Sequence, residues 1–235
     1  MELFGAALQE AFRLLVSLDP ELYSIIFLSL RVSLTAVALA SLLSVPAAVA
    51  VALSAFPGKR VLIAAVNTLM SLPPVVVGLV VYILFSNRTG LFPEIRLLYT
   101  TTAMVTAQVL LAIPIVMGLT ITAVQTIDHQ IRHTAKTLGA TPVQTLGLIV
   151  REGRMAIGAA VLAGFGRLMA EVGAVMMVGG NIRFQTRVMT TAIALQKSMG
   201  EFQQALALGF VLLMVSFLIT AGLEALRGYG EGARS

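Results

Sequence analysis

Residues 133–146 read HTAKTLGATPVQTL, a half-polar, glycine-marked stretch lodged between two long apolar segments and itself too polar to cross a membrane. Its surroundings decide the fold class. Of the 235 residues, 58% are hydrophobic and 11% charged, and the mean hydropathy is +0.94, whereas a soluble domain carries about a quarter charged residues. A bilayer offers no water to backbone amides, so apolar blocks of such length imply spanning helices of about 20 residues. Such blocks run from Ser24 to Phe56, Val61 to Phe85, Tyr99 to Val124, Met155 to Val178 and Phe202 to Leu226. The expectation is an all-α integral membrane protein of about five transmembrane helices, one bundle without a soluble domain, with the polar stretch inserted between the third and fourth spans.

The first block exceeds a straight crossing and is expected to tilt, project beyond the bilayer, or bend near Pro46. The turn Pro57 to Lys59 then closes a tight hairpin. Ahead of the spans, residues 1–22 form a separate segment in which Phe4, Leu8, Phe12 and Leu15 share one helical face, with Gln9, Glu10 and Arg13 elsewhere. That pattern fits an interfacial helix or a packed terminal helix equally. Glu2, Glu10 and the lack of a basic start argue against a cleaved signal. With no cysteine, disulfides, thiolate metal sites and a thiol nucleophile are excluded.

The net charge of +5 is scattered through short loops rather than clustered, which argues against nucleic acid as a partner. With five spans, one side holds Lys59, Arg60, Arg132, Lys136, Arg151, Arg154, Arg227 and Arg234, and the other Arg13, Arg88, Arg96, Arg183, Arg187 and Lys197. Positive-inside reasoning places the first group in the cytoplasm, together with a tail at 227–235, and the N-terminus outside. No internal repeat is evident, which counts against inverted-repeat transporters.

The polar insert, 127–152, would then lie in the cytoplasm. Ala135, Leu138, Val143 and Leu146 can form an apolar stripe, while Lys136, Thr137, Gln144 and Thr145 face away. Gly139 near Pro142 marks a break, so a short helix, a bend and another short helix are expected. Such a unit is either a plain amphipathic connector or a docking element.

The run His133 to Ile149, with Ala135, Leu138-Gly139-Ala140 and Ile149 in step, resembles the EAA loop of ATP-binding cassette (ABC) importer permeases. His133 and Thr134 stand where that motif has Glu and its first Ala, and Arg151-Glu152 where it has Leu-Pro. The stretches SLPPVVVGLVVY (71–82), AQVLLAIPIVMGL (107–119), GRLMAEVGAVMMVGGNI (166–182) and TRVMTTAIAL (186–195) resemble tungstate and molybdate permeases, the tungstate type most. The resemblance covers the chain from the first span onward and implies the ABC type-1 permease fold over residues 23–226. It implies that the insert is a coupling helix, with His133, Thr134, Ala135, Lys136, Leu138, Gly139, Ala140, Val143 and Leu146 against a cytoplasmic ATPase. It also implies a second copy of this chain, separate ATPase subunits that hold ATP and Mg, and an extracytoplasmic solute-binding protein. No cofactor is expected on this chain.

Pro73 and Pro74 fall inside the second span, where each lacks an N–H and disfavours helix before it. The span should break there and restart with free N–H groups, of Val75 and Val76, aimed at an anion. Pro114 is expected to place a second kink opposite. These prolines equally serve simple packing. Arg167 and Glu171, one turn apart in the fourth span, are expected to pair, because a lone charge in the bilayer is costly. The pair serves either an anion pathway or a structural lock. Ser71, Pro73, Pro74, Gln108, Pro114, Arg167, Glu171 and Asn181 are thus the candidate pathway and gate residues. On the fourth span Ala159, Ala163, Gly166, Ala170 and Gly173 form a small-residue stripe, suited to a second copy or to a neighbour in the bundle.

Arg183, Arg187 and Lys197, in an outer loop spanning Gly179 to Glu201, are candidates for docking the binding protein; Thr190 to Met199 would lie along the interface or form a plain connector. His129 and His133 in HQIRH lack both a third ligand and a zincin glutamate, so a metal site is not expected. The absence of G-x-x-x-x-G-K-[ST], H-E-x-x-H and G-x-S-x-G leaves ATP chemistry to another polypeptide. The reading is an ABC permease for an oxyanion, tungstate before molybdate, sulfate or phosphate. A self-contained secondary transporter or channel is the rival of another class, and an intramembrane enzyme ranks behind both.

Overall fold

The computed structural model describes residues 2–86, 96–127, 135 and 137–232, with the backbone alone at 2, 142, 143, 146 and 226–232. His129, His133, Thr134 and Lys136 lie outside the described residues, as do the side chains of Val143 and Leu146. Among the described residues there is no strand, and nine helices follow one another: α1 (Glu2–Val16), α2 (Pro20–Leu53), α3 (Lys59–Met70), α4 (Pro74–Phe85), α5 (Thr101–Thr126), α6 (Pro142–Met169), α7 (Gly173–Gly179), α8 (Met189–Ser198) and α9 (Phe202–Gly232).

The starts of the long helices are written in their caps. The Asp19 carboxylate accepts from the Leu22 N–H at 2.8 Å, with Pro20 at the first helical position and Glu21 in the first turn of α2. The Thr100 hydroxyl caps α5 by accepting from the Ala103 N–H. Gly58, at φ +87°, turns the chain into α3, and the Lys59 ammonium donates to the Ala52 and Ser54 carbonyls that α2 leaves open. α2 runs as one helix through Pro46 and α5 as one helix through Pro114.

α2, α5 and α9 are each long and apolar enough to cross a bilayer. α3 with α4, and α6 with α7, are pairs bent by 93° and 59° that reach that length and apolarity together. α5 is the axis of the packing. Its Ala103, Met104, Ala107, Leu111, Ala112 and Val116 are buried with Val32, Ala36, Val37 and Ala40 of α2 and Phe165 and Leu168 of α6. Small side chains let these backbones approach closely where no hydrophobic effect draws helices together. The Ser44 hydroxyl donates to the Ile113 carbonyl at 3.2 Å and fixes the register of α2 on α5.

The two ends of the bundle are distinct. Val49, Ala52, Val124, Ile149 and Ile157 gather at the end that carries the 135–152 segment. Ala11, Leu22, Ile25, Met189, Ala192, Ala207, Leu208 and Val211 gather at the other. α1 packs on α9, buries Ala7 and Ala11, and leaves Phe4, Leu8 and Phe12 exposed. It is thus a packed terminal helix whose outer face is also apolar.

Three expectations need correction. The second half of the insert is not a separate short helix but the first three turns or so of α6, which runs on into the fourth span. That span is not continuous, because it breaks at Ala170–Val172. The segment 190–199 is not a plain connector along its whole length: Met189, Thr190, Thr191 and Ala192 at the start of α8 are buried between α2 and α9, while Lys197 to Met199 are exposed.

Candidate functional site: two helix elbows around Glu171

The first elbow, between α3 and α4, follows from local chemistry. Ser71 and Leu72 close the last turn of α3 by donating to the Thr68 and Leu69 carbonyls. Pro73 and Pro74 then supply no N–H, and Pro74 starts α4 at its first position. The Val76 N–H, expected to be free for an anion, donates instead to the Pro73 carbonyl at 2.9 Å.

The second elbow, between α6 and α7, is built by a side chain. Glu171 is buried in the bend and both of its carboxylate oxygens are taken. Oε2 accepts from Arg167 Nη1 at 3.0 Å, and Oε1 accepts from the Ala174 N–H at 3.1 Å. Its own carbonyl accepts from the Thr190 hydroxyl at 2.7 Å. One residue therefore closes the helix before it, starts the helix after it, and ties both to α8. Arg167 and Glu171 do pair as expected, but across the break rather than along a helix. The Arg167 side chain remains 46% exposed, so its guanidinium reaches from the buried carboxylate to the surface.

The elbows touch each other. A β-carbon on Gly78 would stand 2.7 Å from the Ala174 Cα, and one on Gly173 would stand 2.8 Å from Val75 Cγ2. Only glycine at these two positions lets α4 and α7 cross this closely. Two small cavities flank the contact, each about 10 Å³, the room of a single water. One lies among Leu72, Leu111, Arg167 and Glu171; the other among Ser29, Ser33, Gln108, Glu171 and Thr190. Gln108 donates its Nε2 to the Leu168 carbonyl, and its Oε1 is buried without a partner. An acceptor in that position suits a water in the second cavity.

Of the pathway candidates, the structure gathers Pro73, Pro74, Gln108, Arg167 and Glu171 at the elbows, with Ser71 exposed beside them. Pro114 is buried within α5. Asn181 is not part of the group. It lies beyond the far end of α7 in a left-handed conformation, φ +53°. Ser29, Ser33 and Thr190 went unnoticed in the sequence because they come from α2 and α8, and no spacing rule links distant elements. Of the small-residue stripe, Ala159, Ala163, Gly166 and Ala170 are exposed, flanking Arg167, whereas Gly173 is spent on the contact with Val75.

At the insert, the Ala140 N–H donates to the Ala135 carbonyl at 2.9 Å, and Gly139 takes φ +77°. Thr141 and Gln144 then cap α6 reciprocally. Each backbone N–H donates to the other's side-chain oxygen, at 2.8 and 3.3 Å. Ala135 is buried and Leu138 is 81% exposed, so these two do not share a face as the expected stripe required. At the opposite end, Arg183 and Arg187 both pair with Glu21 at the start of α2; of the three docking candidates Arg187 is largely covered, while Arg183 and Lys197 are exposed.

Comparison with known proteins places this architecture. The chain is 46% identical over 227 residues to the tungstate uptake system permease protein TupB of Peptoclostridium acidaminophilum, covering 97% of this chain and 99% of that protein. It is 40% identical over 205 residues to a probable anion ABC transporter permease protein of Haloferax volcanii, covering 85% and 88%. It is 37% identical over 164 residues to TupB of Campylobacter jejuni, covering 70% and 68%. Sulfate transport system permeases match at lower identity, 29% for CysT of Escherichia coli. Residues 40–227 match the family described as binding-protein-dependent transport system inner membrane component. By that match, and by near full-length identity well above 30%, this multi-pass chain belongs to the inner membrane components of binding-protein-dependent transport systems.

Proposed function

We propose that the chain is the membrane-spanning subunit of an ATP-driven importer of tungstate. The near full-length match to a tungstate uptake permease carries this reading. Each bent pair makes one crossing, giving five, with the N-terminus outside and the insert in the cytoplasm. Two copies assemble with two ATPase subunits, which hold ATP and Mg, and a binding protein outside delivers the anion. The exposed face of Ala159, Ala163, Gly166 and Ala170 supports pairing of two copies there.

The exposed Leu138, held out by a glycine turn and a capping box, supports docking of the 135–146 segment in a groove of the ATPase. ATP binding closes the ATPases, moves this segment and rocks the bundle between inward and outward access. The elbows form the constriction. Glu171 is committed to holding them, while the half-exposed Arg167 supplies positive potential and donors toward a passing oxyanion. Lys197, and Arg183 and Arg187 once they leave Glu21, receive acidic groups of the binding protein.

The test is uptake of labelled tungstate into vesicles holding this chain, with and without its ATPase and binding protein, with molybdate and sulfate as competitors. Uptake that needs all three components, and yields least to sulfate, supports the reading; uptake by this chain alone overturns it. In the assembled complex Arg167→Gln should lower uptake about tenfold, as expected for losing one charge-assisted contact. Unchanged uptake would remove Arg167 from the pathway.

A further inference from the structure

Arg31 has no role in any site described above. It sits in α2 within the apolar run IIFLSLRVSLTAVAL (25–39), exposed, with no ion pair or hydrogen bond among the described residues. A lone guanidinium on a membrane helix demands a neutralising group.

Two observations locate it. At 100° per residue, Arg31 lies roughly 160° around α2 from Ser29 and from Ser33, the residues that line the cavity at Glu171. It therefore points away from the elbows, within an exposed stripe that includes Tyr23, Phe27, Leu34 and Leu42. The register set by Ser44 and Ile113 gives its height. α2 and α5 run parallel, since Ser44 meets Ile113 and, further along both helices, Val49 and Ala52 cluster with Val124. Arg31 stands about 20 Å before Ser44, and Thr101 about 18 Å before Ile113, at 1.5 Å per residue. Arg31 is thus level with the first turn of α5, at the edge of the apolar layer rather than in its middle.

At that height the group that meets an outward-facing cation is the phosphate of a phospholipid, whose oxygens match the guanidinium fork. Phe27, 67% exposed, and Leu34 stand on either side of Arg31 as apolar surface for acyl chains. We propose that Arg31 is a phospholipid-binding residue that grips a headgroup phosphate in the leaflet at the α1 end of the bundle, favouring anionic lipid.

The experiment is native mass spectrometry of the assembled transporter in detergent, titrated with phosphatidylglycerol. Arg31→Gln should retain about fivefold less lipid than wild type, the fold-change of one Arg near an anionic surface, and Arg31→Lys should retain most of it. Phe27→Ala should also lower retention, which covers the case of an Arg31 variant that does not fold. Inorganic phosphate at the same concentration should not displace the lipid, because it brings no acyl chains. Equal retention in wild type and Arg31→Gln, displacement by inorganic phosphate, or dissociation of two copies by Arg31→Gln would each overturn the proposal.

Discussion

The two elbows do the same geometric job by different means. At Ser71–Pro74 the chain bends because consecutive prolines remove two donors and exclude helix before them, a cause contained in two adjacent residues. At Ala170–Val172 there is no proline. The bend exists because a buried carboxylate caps Ala174, holds Arg167 and offers its carbonyl to Thr190 on α8. The first bend is a property of the chain; the second is a property of the fold. Substitutions at the second should therefore propagate, and substitutions at the first should stay local.

The largest effect is expected from Glu171→Ala, which strands Arg167 and uncovers the Ala174 N–H at once. Because Arg167 is half exposed, the loss should fall below that of a fully buried pair, about 2–3 kcal/mol, read as a lower unfolding midpoint in detergent, with uptake abolished in the vesicle assay proposed above. Gly78→Leu comes next. Its β-carbon meets backbone rather than a flexible side-chain end, so the elbows must separate, costing about 1–3 kcal/mol in the same unfolding measurement. Thr190→Val keeps the shape and deletes one buried hydrogen bond to the Glu171 carbonyl, so about 1 kcal/mol should be lost. Pro73→Ala should be mildest, within about 0.5 kcal/mol, because Pro74 alone still blocks helix before it. Were Pro73→Ala to cost more than Thr190→Val, the division between a local and a tertiary elbow would be wrong.

The same division explains what could be read in advance. The apolar blocks, the proline elbow, the turn at Pro57 to Lys59 and the break at Gly139 near Pro142 all rest on neighbouring residues, and the sequence shows them. The break after Met169 escaped because MAEVGAV carries only one weak local mark, Gly173; its cause lies in Arg167, Ala174 and Thr190 meeting around one carboxylate. Glu21 holding Arg183 and Arg187 escaped for a related reason, since more than 160 residues separate the partners. For α8 the sequence leaves open a segment along the interface and a plain connector, because nothing local reveals its buried partners. Its threonines are buried only because Glu171 and the Val188 N–H give their hydroxyls partners. Helical spacing placed Arg167 beside Glu171 correctly, yet assumed the straight helix that Glu171 itself interrupts.

The capping box at Thr141 has a mechanical consequence. It starts a helix of 28 residues that reaches Met169 without a proline after its first position, a rod of about 42 Å from the loop end of the bundle to the carboxylate knot. A helix uninterrupted over that length can carry a displacement along its axis. A shove of a few ångströms delivered beside Leu138 should therefore arrive at Arg167 nearly whole, and the first place the chain can flex in response is the bend that Glu171 holds closed.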